Sequence, residues 1–314
     1  MDGQGGSDDE SKAWGQAEAT EHREAWGLAA VLVALGVIVA VGGVMVFRGG
    51  SESDTFAKAR RDGAIRVGYA VEAPYAFLTP DGQVTGEAPE IARVIAGRLG
   101  IPRIEWHLTE FGSLIEGLEA GHFDVIAAGL FIIPERSQRV AFSTPTFKVG
   151  SGLLVRKGNP HRLHSYADLL KNREVRIAIL SGSVEEQRLL RLGLSAERLV
   201  RVPDVFSGRA LVTSGQADGL ALSTLTLRWM APHNGADSTE LASPFEDASP
   251  SSPPGLDLGA FAFRPEDRAL CAAWNAELRK FIGSDEHRRL VSTFGFSAAE
   301  LPDATTNGPL VSPR

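Results

Sequence analysis

From residue 64 onward, the hydrophobic positions of this chain fall into short apolar runs that alternate with amphipathic segments. Short β-branched and apolar runs that end at glycine or polar turns predict buried strands, and apolar residues spaced three and four apart predict helices. The predicted strands are 64–70, 103–108, 124–128, 151–157, 174–180, 199–202, 219–222 and 256–263, and the predicted helices are 86–100, 184–192, 207–215, 223–230, 265–282 and 285–294, with one more that begins at Phe111. This alternation of strand and helix predicts an α/β fold.

A different pattern precedes residue 64. Residues 1–26 carry seven acids against Lys12 and Arg23, and we expect this segment to be disordered. Residues 27–47 form an uncharged apolar run of 21 residues, and about 20 suffice to cross a bilayer. The basic start and small-residue cleavage site of a signal peptide are not convincing here, and no lipidation cysteine follows. The pattern therefore favours a retained transmembrane anchor over a cleaved signal segment, followed by a tether at 48–63.

The charges that flank this apolar run oppose an extracytoplasmic location for the rest of the chain. Arg48, Lys58, Arg60 and Arg61 follow the run, whereas the segment before it is acidic. The positive-inside rule would then place the C-terminal side in the cytoplasm. This rule is a bias that large domains can override.

Composition and charge exclude several function classes. A chain of 314 residues with 43% hydrophobic and 23% charged residues is typical of a globular protein larger than one ordinary domain. The net charge of −7 and the lack of a clustered basic stripe argue against a nucleic-acid partner. Cys271 is the single cysteine, so the chain can form no intrachain disulfide, thiolate metal site or redox pair. We therefore expect no cofactor and no metal.

Candidate ligand-binding chemistry is concentrated where the predicted strand 124–128 ends. Gly129 ends this strand, the turn after it carries Phe131, and a Pro-Glu-Arg turn then presents Arg136. Ligands of open α/β sheets bind at the carboxyl ends of strands. The guanidinium of Arg136 is a planar fork of donors that matches a carboxylate. The alternative is that Arg136 only pairs with Glu135 or caps a helix.

Other predicted strand ends place further candidates at the same edge. Glu72 and Tyr75 lie in the loop after the first strand, and Phe111 lies where a helix begins. After the strand 174–180, Gly182 and Ser183 precede a helix whose free N–H groups suit an anion. Two simpler interpretations remain open. Phe111 can be a core residue, and Ser183 can be an ordinary helix cap.

The spacing D-V-I-A-A-G-L-F-x-x-P-E-R-x-x-x-V-x-F-S-x-P resembles the family 3 extracytoplasmic solute-binding proteins of ABC transporters. The resemblance extends over roughly residues 65–302. It implies a two-lobed type II periplasmic-binding-protein-like fold, with a hinge and a ligand cleft between the lobes, and an ABC permease as partner. The implied division is 64–150 for the first part of lobe 1, 151–255 for lobe 2 with its crossing strands, 256–302 for the return to lobe 1, and 303–314 for a loose tail.

The resemblance also implies roles for individual residues. In the family, the arginine at the position of Arg136 holds the ligand carboxylate. From the helix start alone, Ser183 and Val184 are further candidates to contact the ligand. Amino-acid-binding members usually carry an aspartate for the α-ammonium where this chain has Ser223. A site without that carboxylate is expected to bind a primary ammonium poorly.

The residues around Arg136 predict a particular ligand. Tyr75, Phe111 and Phe131 would form an aromatic box that suits a delocalised or alkylated cation. With Glu72 and Arg136, they resemble the ectoine-binding members of the family in E-A-P-Y, F-G-S-L-I and G-L-F-x-x-P-E-R. A quaternary ammonium has no N–H for Glu72, whereas the ring amidinium of ectoine has two. The prediction is therefore a zwitterionic solute, ectoine or hydroxyectoine.

Alternative functions remain open. They are a polar amino-acid receptor of the same family, an enzyme that resembles cyclohexadienyl dehydratase, and the sensor module of a signalling receptor. An enzyme would need a general acid or base in the cleft, and Glu72 is the only candidate that the pattern places there. We find no nucleophile–base pair and no phosphate loop. We therefore predict a receptor without enzymatic activity. Because such a receptor works outside the cytoplasm, the resemblance outweighs the flanking charges, and we expect an extracytoplasmic protein anchored to the membrane.

Overall fold

The computed structural model describes residues 55–231, 238–246 and 257–302. Within these ranges, no helix combines the length and the apolar character needed to cross a membrane. The anchor predicted at 27–47, the acidic segment 1–26 and the tail 303–314 lie outside the described residues.

Helices and strands alternate through most of the described chain. Ten helices and thirteen strands, with two short 3₁₀ turns, are present in the described ranges. In chain order they are α1 Thr55–Asp62, β1 Ala64–Tyr69, β2 Phe77–Leu78, β3 Val84–Thr85, α2 Glu87–Arg98, β4 Arg103–Leu108, a 3₁₀ turn Phe111–Ser113, α3 Leu114–Glu119, β5 Val125–Phe131, α4 Pro134–Ser137, β6 Ala141–Phe142, β7 Phe147–Val149, β8 Ser151–Arg156, α5 Tyr166–Lys171, β9 Ile177–Leu180, α6 Val184–Arg191, a 3₁₀ turn Ala196–Arg198, β10 Leu199–Val202, α7 Val205–Ser214, β11 Gly219–Ser223, α8 Thr224–Met230, β12 Thr239–Leu241, β13 Asp257–Phe263, α9 Arg268–Phe281 and α10 Asp285–Ser292.

The first sheet has the strand order β4-β1-β5-β13-β6, and β7 also pairs with β13. Strand β1 runs parallel to β4 and β5, whereas β13 runs antiparallel to β5. Helix α9 covers this sheet with a buried stripe of Leu270, Trp274, Leu278 and Phe281, at the spacing that the sequence predicts. Burying such apolar side chains is the main term that stabilises this lobe.

The second sheet has the order β10-β9-β11-β8-β12. Strand β9 runs parallel to both β10 and β11, while β8 runs antiparallel to β11. The chain passes from the first sheet to the second at Gly150, between β7 and β8. It returns between residues 246 and 257, where the sequence predicts a turn-rich crossing, and this stretch lies outside the described residues. Each sheet with its helices forms one lobe.

Strand β5 differs from the prediction in a way that matters for the site. We expected it to end at Gly129, but it continues to Phe131, so Phe131 is the last strand residue and not part of a turn. Gly129 lies inside the strand with φ +65°. A Cβ atom at this position would lie 2.6 Å from the Tyr75 ring, so glycine allows that ring to approach the strand.

Other predicted boundaries also differ from the structure by a few residues. Phe111 begins a 3₁₀ turn, and the α-helix itself starts only at Leu114. The predicted strand 174–180 is shorter and begins at Ile177. Strand pairing sets this boundary, because Ile177 is the first residue whose neighbour on β10 is in register.

Candidate functional site

Arg136 lies in the short helix α4, directly after β5, and its side chain is buried between the lobes at 5% exposure. Its Nη1 donates to the Phe131 carbonyl at 3.0 Å, and its Nη2 donates across the cleft to the Gly182 carbonyl at 2.9 Å. The guanidinium carbon lies 5.6 Å from the centre of the Phe111 ring. The salt bridge of Glu135 is with Arg191, at 3.3 Å, and not with Arg136.

The guanidinium of Arg136 remains charged in this environment. Burial lowers its pKa to about 10, and the nearby carboxyl groups of Glu185 and Glu72 act in the opposite direction. It uses two N–H groups on backbone carbonyls, and a guanidinium carries about five. The rest of the fork is therefore available to an anion in the cleft.

Glu72 lies in a tight turn after β1, in the same lobe as Arg136. The turn is closed by the Glu72 amide, which donates to the Ala76 carbonyl at 2.8 Å. The Glu72 carboxylate accepts a hydrogen bond from Thr226 Oγ1 at 2.9 Å. Burial raises the pKa of Glu72 to about 7, against the lowering effect of Thr226 and Arg136. The carboxyl group can therefore change its charge near neutral pH.

A chain of hydroxyl groups joins the two lobes and ends at Glu72. The Tyr75 hydroxyl donates to Ser223 Oγ at 3.0 Å, and Ser223 Oγ donates to Thr226 Oγ1 at 3.0 Å. Thr226 in turn donates to Glu72. We call Tyr75, Ser223, Thr226 and Glu72 the hydroxyl chain. Thr226 is the member that the sequence did not single out, because a threonine in the first turn of a helix is unremarkable there.

The three aromatic residues of the predicted box are all buried, but the structure divides them. Tyr75 stacks on Phe147 with ring centres 4.7 Å apart, and Phe131 meets the same ring edge-on at 6.0 Å. Phe111 lies apart from this group, against the guanidinium of Arg136. Phe147 is thus a shared support for two predicted site residues. In the sequence it is only an apolar position before the first crossing, so no signal marked it.

The start of α6 brings further predicted residues to the cleft. Ser183 Oγ accepts from the Glu186 amide at 3.3 Å, so Ser183 caps this helix in the ordinary way. The Gly182 carbonyl accepts from Arg136, and the Gly182 amide donates to Glu186. Val184 is buried in the same apolar cluster as Tyr75 and Phe131. Contact between these residues and a ligand stays a prediction.

The backbones of the two lobes lie close together at two glycines. Gly182 adopts φ +76°, and a Cβ atom at this position would lie 2.8 Å from the Cα of Gly112. Gly112 belongs to the 3₁₀ turn of the first lobe, and Gly182 precedes α6 of the second. A side chain at Gly182 would therefore force the lobes apart.

Three charged residues that the sequence did not single out lie beside the cleft, and two of them, Arg188 and Glu185, are buried. Arg188 donates to both carboxylate oxygens of Asp257, at 2.9 and 3.1 Å, and to the Ser151 hydroxyl. Glu185, one turn earlier on α6, is 3% exposed. Acidic residues are common in the first turn of a helix, so Glu185 carried no signal in the sequence.

The described residues show no group of three or more histidine, cysteine or acidic side chains able to hold a metal ion. The arrangement instead combines a buried cation, buried carboxyls and aromatic rings between two lobes. Such a cleft can bind a small ligand that carries both charges.

Comparison with known proteins gives consistent matches. Residues 65–297 match the model of the bacterial extracellular solute-binding proteins, family 3. A probable amino-acid ABC transporter periplasmic-binding protein of Sinorhizobium fredii is 35% identical over 257 residues, which is 80% of this chain and 84% of the relative.

Solved structures are similar over most of the chain. The crystal structure of EhuB in complex with hydroxyectoine has a TM-score of 0.71 and 33% identity, and covers 77% of this chain and 92% of that one. The arginine-bound form of a truncated ArgBP from T. maritima has a TM-score of 0.62 and 26% identity, with 71% and 99% covered. These likenesses confirm the predicted two-lobed α/β periplasmic-binding-protein fold.

Proposed function

Since this chain belongs to the bacterial extracellular solute-binding proteins of family 3, we propose that it captures ectoine or hydroxyectoine between its lobes for an ABC importer. Similar proteins with broad coverage are binding proteins, so the prediction of a receptor and not an enzyme is confirmed. The predicted resemblance to this family is confirmed as well.

The observation that carries this proposal is the buried guanidinium of Arg136, held between the lobes by carbonyls from both. A charged group at this depth is costly unless an anion completes its hydrogen bonds. A ligand carboxylate fits this requirement, because the planar fork of arginine binds it through two parallel hydrogen bonds.

The opposite end of the ligand is assigned to Glu72 and the aromatic side chains. The position where amino-acid receptors usually carry an aspartate is Ser223, whose hydroxyl is engaged by Tyr75 and Thr226. Glu72 is the carboxyl group of the hydroxyl chain, and its burial raises its pKa to about 7. A ligand cation with N–H groups would stabilise the charged form of Glu72. Ectoine meets this need, and EhuB, at 33% identity, is a structure with hydroxyectoine.

A polar amino acid is the second candidate ligand. The similar protein from Sinorhizobium fredii is described as a probable amino-acid transport protein, and ArgBP is a structure with arginine. Ser223 stands where amino-acid receptors usually carry an aspartate, so this site lacks that carboxylate for the α-ammonium of an amino acid. This difference argues against an amino-acid ligand. The carboxylate end would bind Arg136 in the same way.

A thermal-shift screen tests the ligand directly. The full-length chain in nonionic detergent is melted with ectoine, hydroxyectoine, glycine betaine and a panel of L-amino acids. A ligand that binds only the native state raises the melting temperature, and at about 100 times its Kd it adds about 2.7 kcal/mol. We expect the largest shift with ectoine or hydroxyectoine. A larger shift with a common amino acid or with betaine would reject this ligand and retain the receptor.

The family places the protein outside the cytoplasm. We assign the apolar run 27–47 to a retained anchor that keeps the two lobes at the membrane, where the permease takes over the ligand. The arginines and lysine after this run argue for the opposite orientation. Protease accessibility of the two lobes in intact spheroplasts is therefore the measurement that decides the orientation.

A further inference from the structure

Glu185 lies in the first turn of α6 in the second lobe and is nearly fully buried, with 3% exposure. Its charge acts on Arg136 and Tyr75, both of the first lobe. In the described part of the chain, its Oε1 has no hydrogen-bond partner, although it is inaccessible to solvent. A buried carboxyl oxygen without a donor is costly, and a ligand donor in the cleft would remove this cost.

Several charged groups lie close together around the cleft. Arg188 pairs with Asp257 through two hydrogen bonds beside the cleft. Four carboxyl groups act on Arg136, of which those of Glu185 and Glu72 have the largest effect, ahead of Asp257 and Glu135. Burial raises the pKa of Glu72 to about 7, although Thr226 and Arg136 lower it. Burial raises the pKa of Glu185 to about 8, and the nearby charge of Arg188 only partly offsets this effect.

We propose that Glu185 is the second acceptor for the cationic end of the ligand, and that the cleft selects a carboxylate ligand whose planar cation is an amidinium or a guanidinium. This inference rests on the proposed function. One N–H of the ligand cation reaches Glu72 on the first lobe, and another reaches Glu185 on the second.

The geometry favours a planar cation over other cations. An amidinium or guanidinium spreads its charge over diverging nitrogens, so its N–H groups can reach two carboxyl groups at once. An ammonium is a compact point charge, and a trimethylammonium has no N–H for either carboxyl. Glu185 belongs to the second lobe, whereas Arg136 belongs to the first. A ligand that binds both residues therefore joins the two lobes and favours closure.

Titration calorimetry on the full-length chain in nonionic detergent tests this inference. Ectoine, L-arginine and glycine betaine are titrated into the wild type, Glu185→Gln and Glu197→Gln. Glu197 is an exposed acid of the same lobe, so its replacement is a matched change of charge. We expect Glu185→Gln to weaken the better planar-cation ligand at least about tenfold, because a charged acceptor is lost. Glu197→Gln should change it less than about twofold.

The outcomes separate this inference from the proposed ligand. If L-arginine binds the wild type more tightly than ectoine, ectoine is rejected as the ligand. The affinity of L-arginine for Glu185→Gln would then test the role of Glu185. Wild-type affinity in Glu185→Gln would overturn the inference and leave the receptor intact. If Glu185→Gln does not melt cooperatively, the titrations of the wild type test the inference. Glycine betaine that binds the wild type as tightly as the planar cations would overturn it.

Discussion

Thr226 of the second lobe donates its hydroxyl hydrogen to the carboxylate of Glu72 in the first lobe, over 2.9 Å. This bond ends the hydroxyl chain that starts at Tyr75. Because its members come from both lobes, the chain can be complete only when the cleft is closed. Closure and the electrostatic state of Glu72 are therefore coupled.

Thr226→Val tests this coupling by removing the hydroxyl and keeping the shape of the side chain. Glu72 would then lose its donor in the closed state, at a cost of about 1–3 kcal/mol. We expect ligand affinity to fall at least about fivefold, measured by calorimetry. Thr213→Val, on an exposed position of α7, is the control and should retain wild-type affinity. Equal affinity of the two variants would refute a role for the hydroxyl chain in closure.

Arg136→Ala should remove the main anchor of the ligand carboxylate. Loss of a buried charge-assisted contact costs about 2–5 kcal/mol, so binding should weaken by more than about tenfold. Arg139→Ala is a matched control, because Arg139 lies on the surface and pairs with Glu119. Calorimetry that finds both variants folded and equally tight would show that Arg136 does not hold the ligand.

Gly182→Ala should prop the lobes apart. Its Cβ atom would lie 2.8 Å from the Cα of Gly112, so the closed state must open slightly to accept it. We expect a loss of affinity of at least about tenfold. Gly193→Ala separates this effect from backbone strain, since Gly193 also has positive φ (+94°) but no atom within 4 Å of the added Cβ. Similar losses in both variants would attribute the effect to strain alone.

The stability of the ligand-free protein should fall as pH rises from about 6.5 to about 8. Burial raises the pKa of Glu87 and of Glu185 from 4.5 to about 8. In this window the folded state retains protons that the unfolded chain has lost. Each such group therefore makes the free energy of unfolding decrease as the pH rises. The slope is at most about 1.4 kcal/mol per pH unit for each group.

Glu87→Gln isolates one of these contributions. Denaturant unfolding at several pH values should show a shallower slope in Glu87→Gln than in the wild type. Replacing the exposed Glu110 by glutamine should leave the slope unchanged. A slope that stays the same in Glu87→Gln would mean that Glu87 ionises as freely in the folded state as in the unfolded one.

The membrane anchor at 27–47 is tested by cell fractionation. Carbonate washing should not release the protein, because a transmembrane helix is held by its apolar length and not by surface charge. Protease added to intact spheroplasts should digest both lobes. Release of a fragment that begins near residue 49 would indicate cleavage, and protection from protease would indicate the reversed orientation.

The pattern along the sequence determined the α/β class and most of the elements. Short apolar runs and amphipathic spacing are local properties, so strand β4 and the buried stripe of α9 could be predicted. The Pro-Glu-Arg turn also placed Arg136 at a strand end. The identity of the family followed from motif spacing, which preserves the order of strand ends without any knowledge of the packing.

Only the tertiary structure decided which of these residues meet. Arg136 reaches Gly182 and Tyr75 reaches Ser223 across a boundary between lobes that no local pattern encodes. Burial, which depends on both lobes, is what raises the pKa of Glu185 to about 8 and leaves its Oε1 without a donor in the described chain. In the sequence, Glu185 is an ordinary acid at a helix start. Its chemistry arises because lobe closure removes water from a carboxyl group that would otherwise be solvated.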